Sequence, residues 1–214
     1  DTPVRLGYEG RSRSRERALV VPARDPVYTK PFLLAFVANF LAFGILNAYN
    51  LLPLYIQTLG AREGEIGRIM AGYFLAAIFT QAVAAGTLDR WPRRPVLLLS
   101  SGAVIVVAVG FALTTRLGWP LYLLRFLHGV ALALFNTIML TLIADLAPRE
   151  RRAEAVGVFG VSGLAAIAVA PAVGEQILGT WGFPAFLWSV ALAALAGFAA
   201  CWATPVPAAA AAPP

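Results

Sequence analysis

Pro95-Val-Leu-Leu-Leu-Ser-Ser-Gly-Ala-Val-Ile-Val-Val-Ala-Val-Gly-Phe-Ala-Leu-Thr114 runs for twenty residues without a charge. Arg93 and Arg94 stand just before it and Arg116 just after it. Coiled as an α-helix at about 1.5 Å per residue, twenty residues reach roughly 30 Å, the thickness of a bilayer's hydrocarbon core. The same pattern repeats on both sides of this stretch. Apolar runs over about 32–57, 64–88, 119–145, 153–177 and 183–204 join the run at 95–114 to give six spans, linked by short loops. Over all 214 residues, 59% are hydrophobic and 13% charged, where a soluble domain carries about 25% charged. The chain therefore reads as an all-α membrane protein of six transmembrane helices, with the lipid bilayer as its first partner.

The net charge of +6 follows from topology. Residues 1–31 form a polar tail with Arg5, Arg11, Arg13, Arg15, Arg17, Arg24 and Lys30. Pro3, Pro22, Pro26 and Pro31 keep it irregular, and it lacks the apolar centre and cleavage site of a signal peptide. Arg90, Arg93 and Arg94 follow span 2; Arg149, Arg151 and Arg152 follow span 4. These thirteen of seventeen basic residues fall on one side, so the positive-inside rule predicts both termini in the cytoplasm. No nucleic-acid partner is needed to explain the charge. Residues 205–214 read as a Pro/Ala linker. The single cysteine, Cys201, makes no internal disulfide. With no metal-ligand cluster and no phosphate-cradling glycine loop, neither metal nor cofactor is expected.

Polar residues inside the spans mark the candidate site. Span 1 carries Asn39, Asn47 and Asn50; span 2 Tyr73, Thr80 and Gln81; span 4 Arg125, His128 and Asn136; span 5 Ser162 and Glu175. Asn39 and Asn50 are eleven apart, as are Arg125 and Asn136, which returns to nearly the same helical face. Polar groups are costly against lipid, so these stripes are expected to face an interior, with spans 3 and 6 outside. Interhelical hydrogen bonding explains any single Asn, Thr or Tyr as well. Arg125 lies about 9 Å into its span, a depth that marks an ionisable residue as functional or as snorkelling to the near interface. A free histidine titrates near neutrality, which makes His128 a candidate proton carrier; hydrogen bonding within the bundle is the plainer reading. Glu175, at comparable depth, is the expected partner of Arg125.

Local motifs add to this. Ala85-Gly86-Thr87-Leu88-Asp89-Arg90-Trp91-Pro92-Arg93-Arg94 joins spans 2 and 3. Arg125-Phe126-Leu127-His128-Gly129 lies in span 4, and Asp145-Leu146-Ala147-Pro148-Arg149-Glu150-Arg151-Arg152 closes it. Span 5 contains Ala170-Pro171-Ala172-Val173-Gly174-Glu175. Together these resemble the major facilitator superfamily in its drug/proton antiporter-like branch, through its D-R-x-G-R-R loop, R-x-x-Q-G, D-x-x-P-x-x-x-R and G-P-x-x-G-G signatures. Departures fall at Ala85 and Pro92, where the family has glycine, at His128 for its glutamine, and in the altered span 5 motif.

The resemblance implies half of a twelve-helix fold, built from two inverted three-helix repeats, around a cavity shared with a second half. It implies secondary active transport of a small organic solute by alternating access, with proton-coupled export, in the inner membrane and without enzymatic activity. Asp89, Arg93 and Asp145 would form a conformational latch; Arg125, His128, Asn136, Asn39, Asn50, Tyr73 and Glu175 would serve substrate or coupling. Because the chain opens at Asp1 and stops in the Pro/Ala tract, it is expected to be a fragment lacking a C-terminal six-helix half; a self-dimerising half-transporter is the alternative. A rhomboid-like intramembrane serine protease is the reading from another class, since Gly160-Val161-Ser162-Gly163 fits G-x-S-G and His128 supplies a base, but no histidine follows Ser162.

Overall fold

The computed structural model describes residues 26–87 and 91–206, with the side chains of 85–87 excepted. The tail before Pro26, Asp89, Arg90 and most of the Pro/Ala tract lie outside the described residues. Every regular element among those described is helical: α1 Lys30–Ala48, α2 Leu52–Thr58, α3 Glu63–Thr87, α4 Arg93–Leu113, α5 Trp119–Leu146 and α6 Arg152–Ala203.

Capping and proline chemistry set the boundaries. Thr29 caps α1, its hydroxyl accepting from the Phe32 amide at 3.5 Å, and Pro31 occupies the first turn, where no amide is missed. A 3-10 turn over Tyr49–Leu51 separates α1 from α2, which has Pro53 in its own first turn. Pro53 has no amide to offer the carbonyl four residues back, so the α-helical ladder is interrupted there. Pro120 opens α5 in the same way.

Five helical segments are long and apolar enough to cross a membrane, against the six spans expected. The difference arises in α6. Its 52 residues would extend about 78 Å as one helix, more than twice the hydrocarbon thickness. Gly182 interrupts it with φ 77 and ψ −179, a conformation essentially reserved for glycine. Pro184 follows two residues later. The element therefore consists of two limbs, 152–181 and 183–203.

The helices group by contact. α1 packs along α6, α3 packs along α5, and α4 touches both α5 and α6. Close approach depends on small residues, as usual where lipid supplies no hydrophobic drive. At Gly129 of α5, a Cβ would collide with the Tyr73 carbonyl and press on Ala76. That contact brings α3 and α5 together at backbone range. Outward faces carry Phe74, Ile78, Phe79, Leu99, Val106, Leu164 and Leu192, all exposed, an apolar surface suited to lipid or to further helices.

α4 is fixed to its neighbours at both ends. Arg93 pairs with Asp145 at the end of α5. At the other end, Tyr55 donates its hydroxyl to the Thr114 carbonyl at 2.5 Å. Between them, Ser100 and Ser101 turn their hydroxyls back to the Leu97 carbonyl of their own helix at 3.1 and 2.7 Å.

Candidate functional site

Arg125 and His128 are one turn apart on α5, so helix geometry alone places them side by side. The guanidinium Nη1 donates to His128 Nδ1 at 3.0 Å. A guanidinium is only a donor, so Nδ1 must accept, and the neutral ring then carries its proton on Nε2. Arg125 is 2% exposed and His128 0%. Tyr73 of α3 lies under the guanidinium, ring centroid 4.8 Å from its carbon, and Tyr49 approaches to 6.0 Å. These distances are within reach of cation–π attraction, about 0.5–2 kcal/mol. Both rings also pack on His128, with centroids at 5.0 Å for Tyr49 and 5.2 Å for Tyr73. Two aromatic walls, from the α1–α2 turn and from α3, thus enclose a basic pair from α5. Arg125 Nε, His128 Nε2 and the Tyr49 hydroxyl are buried there without a hydrogen-bond partner.

Glu175 is exposed, and no ion pair joins it to Arg125 among the described residues. Depth along a helix axis, which suggested the pairing, does not fix angular position. The partners of Arg125 are His128 and the two tyrosines.

Asn39 is 1% exposed and links α1 to α6: its amide donates to Ser162 Oγ at 2.7 Å and to the Phe159 carbonyl at 3.4 Å. Ser162 donates in turn to the Phe159 carbonyl at 2.7 Å. Its bonds are therefore with Asn39 and its own helix, and none reaches His128. Asn50 is exposed, whereas Asn39 is buried, so the two do not share an environment. An eleven-residue return to one face requires an unbroken α-helix, and the 3-10 turn at Tyr49–Leu51 shifts the phase. Asn47 bonds back to the Phe43 carbonyl at 2.8 Å. Asn136 is half-buried and lines a small cavity of about 60 Å³ with Tyr73 and Gln81.

Tyr49 is the cluster member that the sequence reading passed over. A tyrosine at mid-span, beside Asn50, was the available signal; its pairing with α5 depends on tertiary packing.

At the end of the bundle that carries the basic loops, Arg93 and Asp145 form their ion pair with side chains 22% and 33% exposed. Arg151 clasps Glu154 through two bonds, 2.6 and 2.9 Å, and Tyr28 donates to the same carboxylate at 3.2 Å.

The family model described as Major Facilitator Superfamily matches residues 32–214. The chain belongs to the major facilitator superfamily. This major-facilitator chain is 28% identical to the multidrug resistance protein MdtL of Shewanella sp. (strain ANA-3) over 153 residues, 70% of this chain and 38% of that protein. It is 29% identical to the multidrug resistance protein MdtG of Rahnella sp. (strain Y9602) over 171 residues, 75% of this chain and 40% of that protein. The chain thus spans about two fifths of the length of these relatives. Among solved structures, the POT family transporter PepTSo superposes with a TM-score of 0.73 at 13% identity, covering 83% of this chain and 37% of that one. That likeness establishes the shared fold. Superfamily membership, together with the bonding of Ser162, sets aside the intramembrane protease; the chain is not an enzyme.

Proposed function

We propose that this chain works as one six-helix half of a secondary active transporter, moving a small organic solute by alternating access. The limbs of α6 count as spans 5 and 6, and spans 1–3 and 4–6 form the two inverted repeats of the half. A second half, from a longer chain or from a second copy, completes the pathway. Both ends of the described helices lie on the cytoplasmic side, where the basic loops favour them. Proton-coupled export is the mode that fits the multidrug relatives.

The observation that carries this reading is Arg125. A cation in a transmembrane helix is costly unless it is paired or used, and here its contacts are an imidazole and two aromatic rings. It is 2% exposed in this arrangement, so a counter-charge from the solute or from the second half would reach it only once the helices move. The Arg93–Asp145 pair, to which the loop motif would add Asp89, would hold the cytoplasmic side closed when the transporter opens outward. Asn136, Asn50 and Glu175 would border the solute path, with Asn39 and Tyr73 shaping it from within the bundle.

The test is transport in membrane vesicles by Arg125→Gln and Arg125→Lys. Both should lose about tenfold or more, because a partner left without its charged donor costs about 1–3 kcal/mol and an ammonium does not reproduce the guanidinium fork. Wild-type rates in Arg125→Gln, with normal insertion, would end the claim for this residue.

A further inference from the structure

Several polar side chains within the spans are satisfied locally. Asn47, Thr137 and Thr141 bond to carbonyls one turn back on their own helices. Asn136 and Gln81 differ: among the described residues neither carboxamide makes a hydrogen bond, and neither does the Tyr73 hydroxyl. Counting back at the helical rise, Gln81 lies about 9 Å inside the end of α3 and Asn136 about 15 Å inside the end of α5. A carboxamide at such depth is costly against hydrocarbon.

These three groups line one recess. It measures about 60 Å³ and is enclosed by α1, α3 and α5, with no residue of α4 or α6 in its lining. Tyr73, Ala77 and Gln81 fall four apart, so α3 turns them to one face. Ala42, Leu132 and Phe135 make a buried apolar floor. Tyr73 is buried, Asn136 half-buried and Gln81 exposed, which puts the mouth at Gln81. A water-sized group takes about 10–15 Å³ of such space, so roughly four non-hydrogen atoms fill it. That suits one substituent of an organic solute.

Resting on the transport reading above, we propose that this recess receives a neutral hydrogen-bonding end of the solute, a carboxamide or a hydroxyl, and that Gln81 and Asn136 determine specificity for it. Both carboxamides and the phenol can donate and accept, so they match a group that does both. No charged side chain lines the recess. Arg125 stacks on the Tyr73 ring, its guanidinium carbon 4.8 Å from the centroid, and takes no part in the lining. An ion placed here would give up its hydration without a partner.

The experiment uses the complete transporter in vesicles, with Cys201→Ala and with Ala77→Cys as the single cysteine, half-buried in the recess wall. Labelling by a water-soluble methanethiosulfonate is timed with acetamide, ethylene glycol, acetate or ethylammonium present. Acetamide and ethylene glycol should slow labelling several-fold more than the two ions. Gln81→Leu and Asn136→Leu should each remove most of that protection. Equal protection by acetate or ethylammonium, or protection unchanged in both leucine variants, overturns the proposal. So does an Ala77→Cys that no water-soluble reagent reaches, because a helix of the second half would then fill the mouth. The readout needs no turnover. A protein protected by acetamide that carries no solute would remove the transport reading while upholding the recess's preference for neutral groups. Solute transport without protection by any of the four probes overturns the recess alone.

Discussion

His128 decides how Arg125 is presented. Its Nδ1 accepts from the guanidinium at 3.0 Å and thereby fixes which way the fork faces between Tyr49 and Tyr73. The family's glutamine has an amide oxygen that can accept the same bond. His128→Gln should therefore keep transport within a few-fold of wild type. His128→Leu, which leaves a buried charged donor unmatched, should lower both transport and melting temperature, by about 1–3 kcal/mol of stability. Measuring the two variants side by side also separates holding from proton carriage, because glutamine cannot titrate. Loss of proton coupling in the glutamine variant, with solute binding intact, would make the ring a carrier instead. The Arg125–His128 pair was legible in the sequence because a spacing of three on one helix is local information. Tyr49 was not, since its contact crosses from the α1–α2 turn to α5. The expected Glu175 partner failed for the complementary reason: sequence position gives depth but not direction.

The Arg93–Asp145 pair sets each charge against a helix dipole. Arg93 begins α4, where the partial charge is positive, and Asp145 lies in the last turn of α5, where it is negative. Each charge disfavours its own helix end and is offset by the other. A pair this accessible is worth at most about 1 kcal/mol, so it can open and close readily. Exchanging the two residues, Arg93→Asp with Asp145→Arg, keeps the pair and aligns both charges with the dipoles, a gain of about 0.3–1 kcal/mol at each end. The double variant should melt higher than wild type and transport more slowly, while either single change should impair transport and lower the melting point. A swapped protein no more stable and no slower than wild type would remove the latch. At this scale the apolar runs were plain from composition, because a bilayer demands twenty such residues whatever packs beside them. The 3-10 turn at Tyr49–Leu51 was less visible: Pro53 was in view, but the phase it imposes on Asn50 depends on the local backbone.

Across the molecule, burial now separates residues that the sequence grouped together. Asn39, Tyr73, Arg125 and His128 are packed within the bundle, Asn136 is half-buried, and Asn50 and Glu175 are exposed. With buried Cys201 replaced by alanine, single cysteines should report this order. Asn50→Cys and Asn136→Cys should react with water-soluble thiol reagents in the complete transporter, and Asn39→Cys should stay protected. Val106→Cys should react only with a membrane-soluble reagent. Uniform reactivity at Asn39 and Asn50 would contradict the packing of α1 against α6.

The way α4 is held has a mechanical consequence. Polar ties fix it at Arg93 and at Thr114; of its two mid-span serines, Ser100 bonds to its own helix and Ser101 also meets the Cys201 thiol of α6. Along the rest of the stretch, its contacts with α5 and α6 are side-chain packing, which has no preferred direction and can be remade after a small slip. The helix resembles an axle, pinned at its ends and greased along its length. The α1–α6 and α3–α5 groups can then shift past one another at the cost of no more than the weak Ser101–Cys201 bond, and the end pins set how far they travel. Spin-label distances between α1 and α3 should accordingly change on solute binding while both pins stay closed; a fixed distance throughout transport would mean that the half moves as one solid piece.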